Sequence, residues 1–455
     1  MTSRTSRITN KLGSLALGAL VTAAMLTGPA IINTARAQDS GALLNALVKK
    51  GILTDQDAEE LRADLSKDSA ASVIETVSSG KSTSGLQFSG RLQMQYVNVA
   101  TTDDNDTPAA TSGAGLNYNR LSRGFMRRFY VGVKGNLGAN WSANFNYDFA
   151  DGGSWDKATI NWTGLLGSQP FSFDIGLRKV NFAYEETTSS GSLKAIERSG
   201  VTRYFVEDAN GRRLGAGSYR IGLFADYNPN AAAGKATGLF AGAALTNAER
   251  QSKVSEVSLQ DNTVVFGSQP AVWLNGGYSG KAGSLTYIVG ASGGYLPRMG
   301  GLRGSNQAYT LGASITEGDF YADITYGAFN FVADYLIAGV DKGNQNGTTA
   351  TISGFWVQPS YKISDKWEVV ARYSLTSTDG RGVRVSDGVR SSLANVSGKN
   401  LNEYYIGANY YIIGNDLKWQ FGYIGGQTSG ALLNAAAPLN KETANGFRTQ
   451  IQINF

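Results

Sequence analysis

The sequence has no cysteine and no histidine, only 8 prolines, and only 17 % charged residues. Without cysteine there is no disulfide framework and no thiolate chemistry. Without histidine, Ser-His-Asp and Cys-His catalysis and the usual zinc shells are excluded. Hydrolysis by carboxylates alone needs a placed acid pair, and none is visible. No enzymatic activity, metal or cofactor is therefore expected. Long apolar runs are also scarce. The mean hydropathy of −0.20 excludes a bundle of membrane-spanning helices. Glycine (57), tyrosine (22) and phenylalanine (19) are plentiful. Such a composition suits many alternating strands.

The first residues read as an export signal. Arg4, Arg7 and Lys11 precede the apolar stretch "LGSLALGALVTAAML", and Ala35-Arg36-Ala37 forms a small-x-small cleavage site. That stretch is too short for a good spanning helix. Residues 1–37 are thus expected to be a signal peptide, with the mature chain starting near Gln38. They carry four basic residues (Arg4, Arg7, Lys11, Arg36) and no acid. Removing those four from the 41 basic residues leaves 37 against 36 acidic ones. The pI of about 9.0 is then largely a signal-peptide effect, and no nucleic-acid partner is expected.

Residues 38–85 are expected to form a helical periplasmic extension and linker. "SGALLNALVKKG" and "LTDQDAEELRADLSKD" have helical spacing. Thr54 and Asp57 approximate a capping box, and Leu61 and Leu65 share a face. A Ser/Gly/Thr-rich linker follows over 69–85.

From Leu86 onward the period is two. "LQFSGRLQMQYVNV" sets Leu86, Phe88, Leu92, Met94 and Tyr96 against Gln87, Ser89, Arg91, Gln93 and Gln95. "WSANFNYDFA", "SYRIGLFADY", "KWEVVARYSL" and "DLKWQFGYIG" repeat the scheme. Segments of about ten residues with one apolar and one polar face are the signature of a membrane barrel. Trp141, Trp155, Trp367 and Trp419 stand near segment ends, as interfacial girdles require. The connections strengthen the reading. Those at 100–122, 182–217, 248–269, 294–305, 378–401 and 429–445 are long, and those between, such as "LGAN" and "ISDK", are short. The tenth segment is placed at 306–316 and the eleventh within 319–340, with "TYGAF" as the turn between them. Sixteen segments result, so residues 86–455 are expected to form a sixteen-stranded antiparallel transmembrane β-barrel, all-β apart from the helical preface. Only closed barrels or helices satisfy every backbone group in lipid. The closing "GFRTQIQINF" fits a last strand whose Phe455 meets the lipid at the periplasmic girdle.

Several stretches, in order, resemble the phosphate-selective porin O and P family: "GRLQMQY", "RRFYVGVKG", "FNYDFADG", "DIGLRKVNFAYEETTSS", "AIERSGVTRYF", "AGSYRIGLFADY", "WEVVARYSL" and "FRTQIQINF". "KKGILTDQDAEEL" is similar to the preface of many members. Asn181 departs from the family, which often has Pro there. The resemblance implies an outer-membrane channel, a homotrimer, periplasmic termini and contact with membrane lipid and lipopolysaccharide. It also implies barrel-assembly recognition of the Phe455 strand. The third outer loop, 182–217, would fold into the lumen as a constriction; the plain alternative is a surface loop with solvated charges. Arg91, Arg127 and Arg128 match the family's phosphate-contacting arginines, and Lys157 and Lys179 its constriction lysines.

Alternation itself points Arg91, Arg128, Lys134, Lys157, Arg178 and Arg220 inward, together with Asp148, Asp174 and Asp226. Basic excess in a narrow low-dielectric passage attracts anions. Strict alternation turns Arg127 toward lipid unless a bulge intervenes, and Lys179 counts only where its strand has ended. Loop residues Glu197, Arg198, Arg203, Arg212 and Arg213 complete the set. The expected function is passive diffusion of small anions, phosphate or polyphosphate among them. Two alternatives stay open: a general low-selectivity porin, and a barrel whose outer loops act as an adhesin or structural surface.

Overall fold

The computed structural model describes residues 85–103, 120–207, 212–248, 269–297, 299, 313–344, 346–390, 397–430 and 441–455. The expected signal peptide, helical extension and linker lie outside these residues except for Gly85.

Strands β1 (Leu86–Asp103), β2 (Arg120–Leu137), β3 (Trp141–Asp148), β4 (Ser154–Leu166), β5 (Gln169–Lys179), β6 (Tyr219–Tyr227), β7 (Gly238–Thr246) and β8 (Ala271–Ala282) form the first half of a ring. The second half is β9 (Leu285–Leu296), β10 (Ile315–Tyr326), β11 (Phe329–Val340), β12 (Ala350–Lys362), β13 (Trp367–Ser377), β16 (Asn400–Ile413), β17 (Leu417–Ser429) and β18 (Lys441–Asn454). Each strand pairs with its neighbours, and β1 closes on β18, giving a sixteen-stranded antiparallel barrel. The two-residue strands β14 (Val383–Arg384) and β15 (Ser397–Gly398) pair with each other outside the ring. Among the described residues no helix is long and apolar enough to cross a membrane.

The alternation explains which face points where. Met94 is 51 % exposed, whereas Gln93 and Gln95 on either side are 0 % and 3 %. Apolar side chains therefore form the outer belt and polar ones the inner wall, the arrangement that lipid outside and a polar interior require. Trp141, Trp367 and Trp419 are exposed; Trp155 packs edge-on against Tyr147 at 5.1 Å. Inside the seam an amide ladder crosses four strands: Gln93 to Gln452 (2.6 Å), Gln95 to Gln450 (2.8 Å), Gln450 to Gln420 (2.8 Å) and Gln420 to Asn409 (2.9 Å). Phe455 pairs its backbone with Gly90, so the last residue does finish the seam.

One strand assignment is corrected. The tenth strand is Ile315–Tyr326, not 306–316, and the connection before it runs 297–314. The turn does fall within "TYGAF", at Gly327 and Ala328 between β10 and β11. Gly318 and Ala322 stand on the outward face of β10 beside Phe320 and Ile324, and they blur its apolar alternation.

Two connections break the long–short rule. The one after β3 runs only 149–153. The one after β6, on the short-turn side, runs 228–237 and holds a helical turn, α3 (Pro229–Ala232). Its Pro at the first helical position fits φ without wasting a donor. Connection 180–218 holds α1 (Tyr184–Thr187) and α2 (Gly200–Val206), and connection 378–399 holds α4 (Val385–Val389).

Candidate functional site

Connection 180–218 is bonded to the polar faces of β1, β10, β11, β12, β13, β17 and β18. Near β1 and β18, Gln93 donates to the Ser190 carbonyl (3.1 Å) and Gln452 to that of Gly191 (2.9 Å). On β17, Lys418 and Gln420 donate to the Leu193 carbonyl at 2.9 and 3.1 Å. Lys194 pairs with Glu368 of β13 at 2.9 Å and bonds Asn330 and Ser360 of β11 and β12. Arg372 of β13 pairs with Glu185 (2.9 Å) and with Glu403 of β16 (3.0 Å). On β10, Asp323 accepts from the Tyr184 hydroxyl at 2.8 Å. A buried backbone segment must have its polar groups satisfied, and wall amides and ammonium groups do that here. Ser199 caps α2, accepting from the Thr202 amide at 3.2 Å, and its hydroxyl donates to Glu185 at 2.8 Å.

The expected site residues separate into two groups. In the first, a carboxylate takes up the charge. Arg127 does turn inward: its Nε meets Glu197 Oε1 at 2.7 Å. Arg128, its neighbour, also bonds an inner-wall group, Gln93, at 2.7 Å. Two consecutive residues on one face mean a shift in the alternation of the bulge kind. Arg178 pairs with Asp174 and, at 2.9 Å, with Asp226. Lys179, where β5 ends, pairs with Glu186 at 3.0 Å. Arg198 pairs with Glu186 (2.9 Å) and donates to three loop carbonyls.

Two further residues serve the scaffold. Arg220 is fully buried, lies over the Trp273 ring at 5.2 Å and donates to the Gly215 carbonyl. Asp148 accepts the Phe129 and Ala150 amides at 2.9 and 3.0 Å, bracing the turn after β3.

In the second group no carboxylate pairs. Among the described residues Arg91, Arg128, Lys134 and Lys157 make no ion pair. Arg91 bonds Asn454 (2.8 Å), Ser190 (2.7 Å) and Ser189 (3.1 Å), and sits over the Tyr130 ring at 5.8 Å. Arg91 is in electrostatic reach of Arg128 and Asp156, and Lys157 of Asp174, Arg178, Lys134 and Asp156. A bulge sets Lys157. The β3–β4 register passes from Asn146–Lys157 to Tyr147–Trp155, leaving Asp156 as the extra residue. Asp156 accepts from Asn146 (2.9 Å) and from the Tyr219 hydroxyl, so it shares the inner face with Lys157.

A loop–loop junction lies beyond what the sequence showed. Arg390 of connection 378–399 reaches Glu197 (3.0 Å) and Glu207. Arg203 pairs with Glu207 (3.0 Å) and donates to the Asp387 and Gly388 carbonyls. Arg212 pairs with Asp387 at 3.2 Å, and Arg448 of β18 donates to the Val389 carbonyl at 2.8 Å. Burial raises the Glu197 carboxyl, but Arg127, Arg390 and Arg128 outweigh it and hold it well below the usual range. Burial acts the same way on Glu207, and Arg203 and Arg390 overcome it. Burial, then the charge of Arg203, brings Arg390 down to about 9. Arg372 could have been found by alternation within "KWEVVARYSL". Arg390 could not, since a loop has no period.

The sequence matches the family described as phosphate-selective porin O and P over residues 96–255 and 302–455. The chain belongs to that family. It is a porin channel of the outer membrane. No curated protein matches this porin by sequence. Among solved structures it is similar to OprB of Pseudomonas putida, with 10% identity and a TM-score of 0.49, over 81% of this chain and 94% of that one. It is also similar to the outer membrane channel DcaP of Acinetobacter baumannii (11%, TM-score 0.48, 83% and 99%). A third is the trimer form of OmpT of Vibrio cholerae (12%, TM-score 0.46, 81% and 99%). Likenesses this faint carry no argument about function.

Proposed function

We propose that this porin passes small anions by diffusion, with phosphate or polyphosphate among them, along an unpaired basic strip on β1, β2 and β4. One observation carries the reading: among the described residues Arg91, Arg128, Lys134 and Lys157 lie in one sector without an ion pair, whereas Arg127, Arg178, Lys179 and Arg372 are paired. An anion entering a low-dielectric passage meets their field, offset in part by Asp156 and Asp174 near Arg91 and Lys157 and by Glu197 near Arg128. Arg128, bonded to Gln93, keeps donors suited to oxyanions, while Arg91 adds its charge with its nitrogens bonded to Asn454, Ser190 and Ser189. Connection 180–218, bonded to the walls as described, narrows the lumen beside them.

The further features belong to the same proposal: export by residues 1–37, periplasmic termini, a homotrimer in lipid and lipopolysaccharide, and barrel assembly through the Phe455 strand. Residues 38–85 would be the helical extension on the periplasmic side. A second reading, a porin of low selectivity, is favoured by the pairing of Arg127, Arg178, Lys179 and Arg198. Paired charges contribute little net field.

The test is the reversal potential of the refolded protein in a planar bilayer under a potassium chloride gradient, followed by phosphate. A potential of the chloride sign and block by phosphate, both weakened in the triple variant R91Q/R128Q/K157Q, support the strip. A weak or cation-sided potential without phosphate block leaves the low-selectivity reading.

A further inference from the structure

Connection 180–218 leaves the ring after the last residue of β5, Lys179, and rejoins it at the first of β6, Tyr219. That end of the barrel is opposite to the one where β1 begins and β18 ends. The tip of the connection, Ser189–Lys194, lies at the far end, as the wall residues that hold it show. Asn330 is the second residue of β11, Ser360 the third from last of β12, Glu368 the second of β13, Lys418 the second of β17 and Gln452 the third from last of β18. Each stands next to the end that carries the short turns. Gln452 donates to the Gly191 carbonyl (2.9 Å) and to that of Asn415 (2.7 Å), which lies in the turn between β16 and β17. From Lys179 to Ser189 an extended chain reaches at most about 33–36 Å, enough to cross an apolar band of about 25 Å. The connection therefore runs the full depth of the lumen.

The tip is held from one side. Among the described residues its bonds reach β1, β11, β12, β13, β17 and β18, which leaves the sector from β2 to β9 as the open part of that mouth. The Ser192 amide donates to the Ser189 carbonyl at 2.8 Å, closing the tip as a tight turn. Ser189 and Ser192 are exposed on it. Arg91 bonds Ser190 (2.7 Å) and Ser189 (3.1 Å), so one charge of the basic strip stands beside the tip. The two serines set no charge against it. An ion crossing this mouth passes the tip, and in a low-dielectric passage it senses any fixed charge placed there.

We infer that the tip Ser189–Lys194 forms one wall of the mouth where β1 begins and β18 ends, and that Ser192 is a specificity-determining position there. The inference rests on the barrel being a channel, and not on its anion preference.

The chain has no cysteine, so a single introduced thiol is unique. Ser192→Cys is compared with two exposed reference positions, Asp365→Cys in the turn before β13 and Thr349→Cys in the connection before β12. The first readout is a maleimide polymer too bulky to enter the barrel, applied to whole cells before and after the outer membrane is opened. It should reach Ser192→Cys from the same side as Asp365→Cys and from the side opposite to Thr349→Cys. The second is the bilayer reversal potential after thiol modification. A reagent carrying a sulfonate should shift Ser192→Cys toward the cation side, and one carrying a quaternary ammonium toward the chloride side, with Thr349→Cys unmoved. Reaction of Ser192→Cys from the Thr349 side, or from neither side, overturns the inference. So does an unmoved reversal potential after modification. Should Ser192→Cys lose heat-modifiable gel mobility, Ser189→Cys takes its place with the same expectations. The shifts are measured against the parent, so a parent of low selectivity tests the inference equally well. A parent with no ion conductance overturns the channel reading and this one with it.

Discussion

Gly90 and Phe455 meet at the barrel seam, where the Gly90 amide donates to the Phe455 carbonyl at 2.7 Å and the Phe455 amide to the Gly90 carbonyl at 3.1 Å. A Cβ at Gly90 would overlap the Phe455 ring. The ring is the free end of a side chain 71 % exposed, so it can swing aside. Gly90→Ala is therefore expected to fold normally. Deleting Phe455 leaves two backbone groups of Gly90 unpaired in a seam that lipid faces, at about 1–3 kcal/mol each. The folded band on an unheated gel should fall in the deletion and hold in Gly90→Ala; equal loss in both would refute this account of the seam.

Arg372 is buried between Glu185 and Glu403 and also donates to the Glu197 carbonyl at 2.7 Å. Arg372→Met strands two buried acids, and breaking such a pair costs about 3–5 kcal/mol. Denaturant unfolding in detergent should show that loss. Adding E185Q and E403Q should restore most of it, because the stranded charges are then gone.

Glu197 joins Arg127 of the wall to Arg390 of the second loop. Glu197→Gln removes both ion pairs at once. Both arginines keep some solvent access, so the expected loss is at the lower end of the range, about 3 kcal/mol. Open-channel noise should rise as connection 180–218 loosens, and the reversal potential should move further toward the chloride side as Arg127 and Arg390 lose their carboxylate. A quiet channel of unchanged stability would show that the junction is not what holds the loop.

The pH dependence of that junction has a definite sign. The Glu197 and Glu207 carboxyls lie well below their ordinary value of 4.5 in the folded chain. Unfolding then takes up protons on the acid side, so the stabilisation is complete above the ordinary carboxylate range. It drains away as pH falls through the depressed folded values. Protease sensitivity of the two loops should be alike at pH 7 and pH 5 (about one unit either way) and should rise only in stronger acid. Loosening already between pH 7 and 5 would contradict the pairing.

Much of the barrel was legible because a strand's two faces are written in neighbouring residues. Met94 beside Gln93, and Phe447 through Phe455 at every second place, needed no distant partner. β10 was misplaced for the same local reason: Gly318 and Ala322 gave its outward face too little apolar signal. The inward direction of Arg91, Arg128 and Lys157 also follows from alternation.

What alternation could not supply is which charges remain unpaired. Arg127 and Glu197, or Arg372 and Glu185, meet only after the chain has closed into a ring and the long connection has folded against it. A pattern of period two states the face of a side chain and nothing about its partner across the barrel. The sequence determined the barrel, its two faces and a basic inner sector. Tertiary structure alone decided which cations are cancelled by carboxylates, because a Coulomb interaction depends on distance in space and not on separation along the chain.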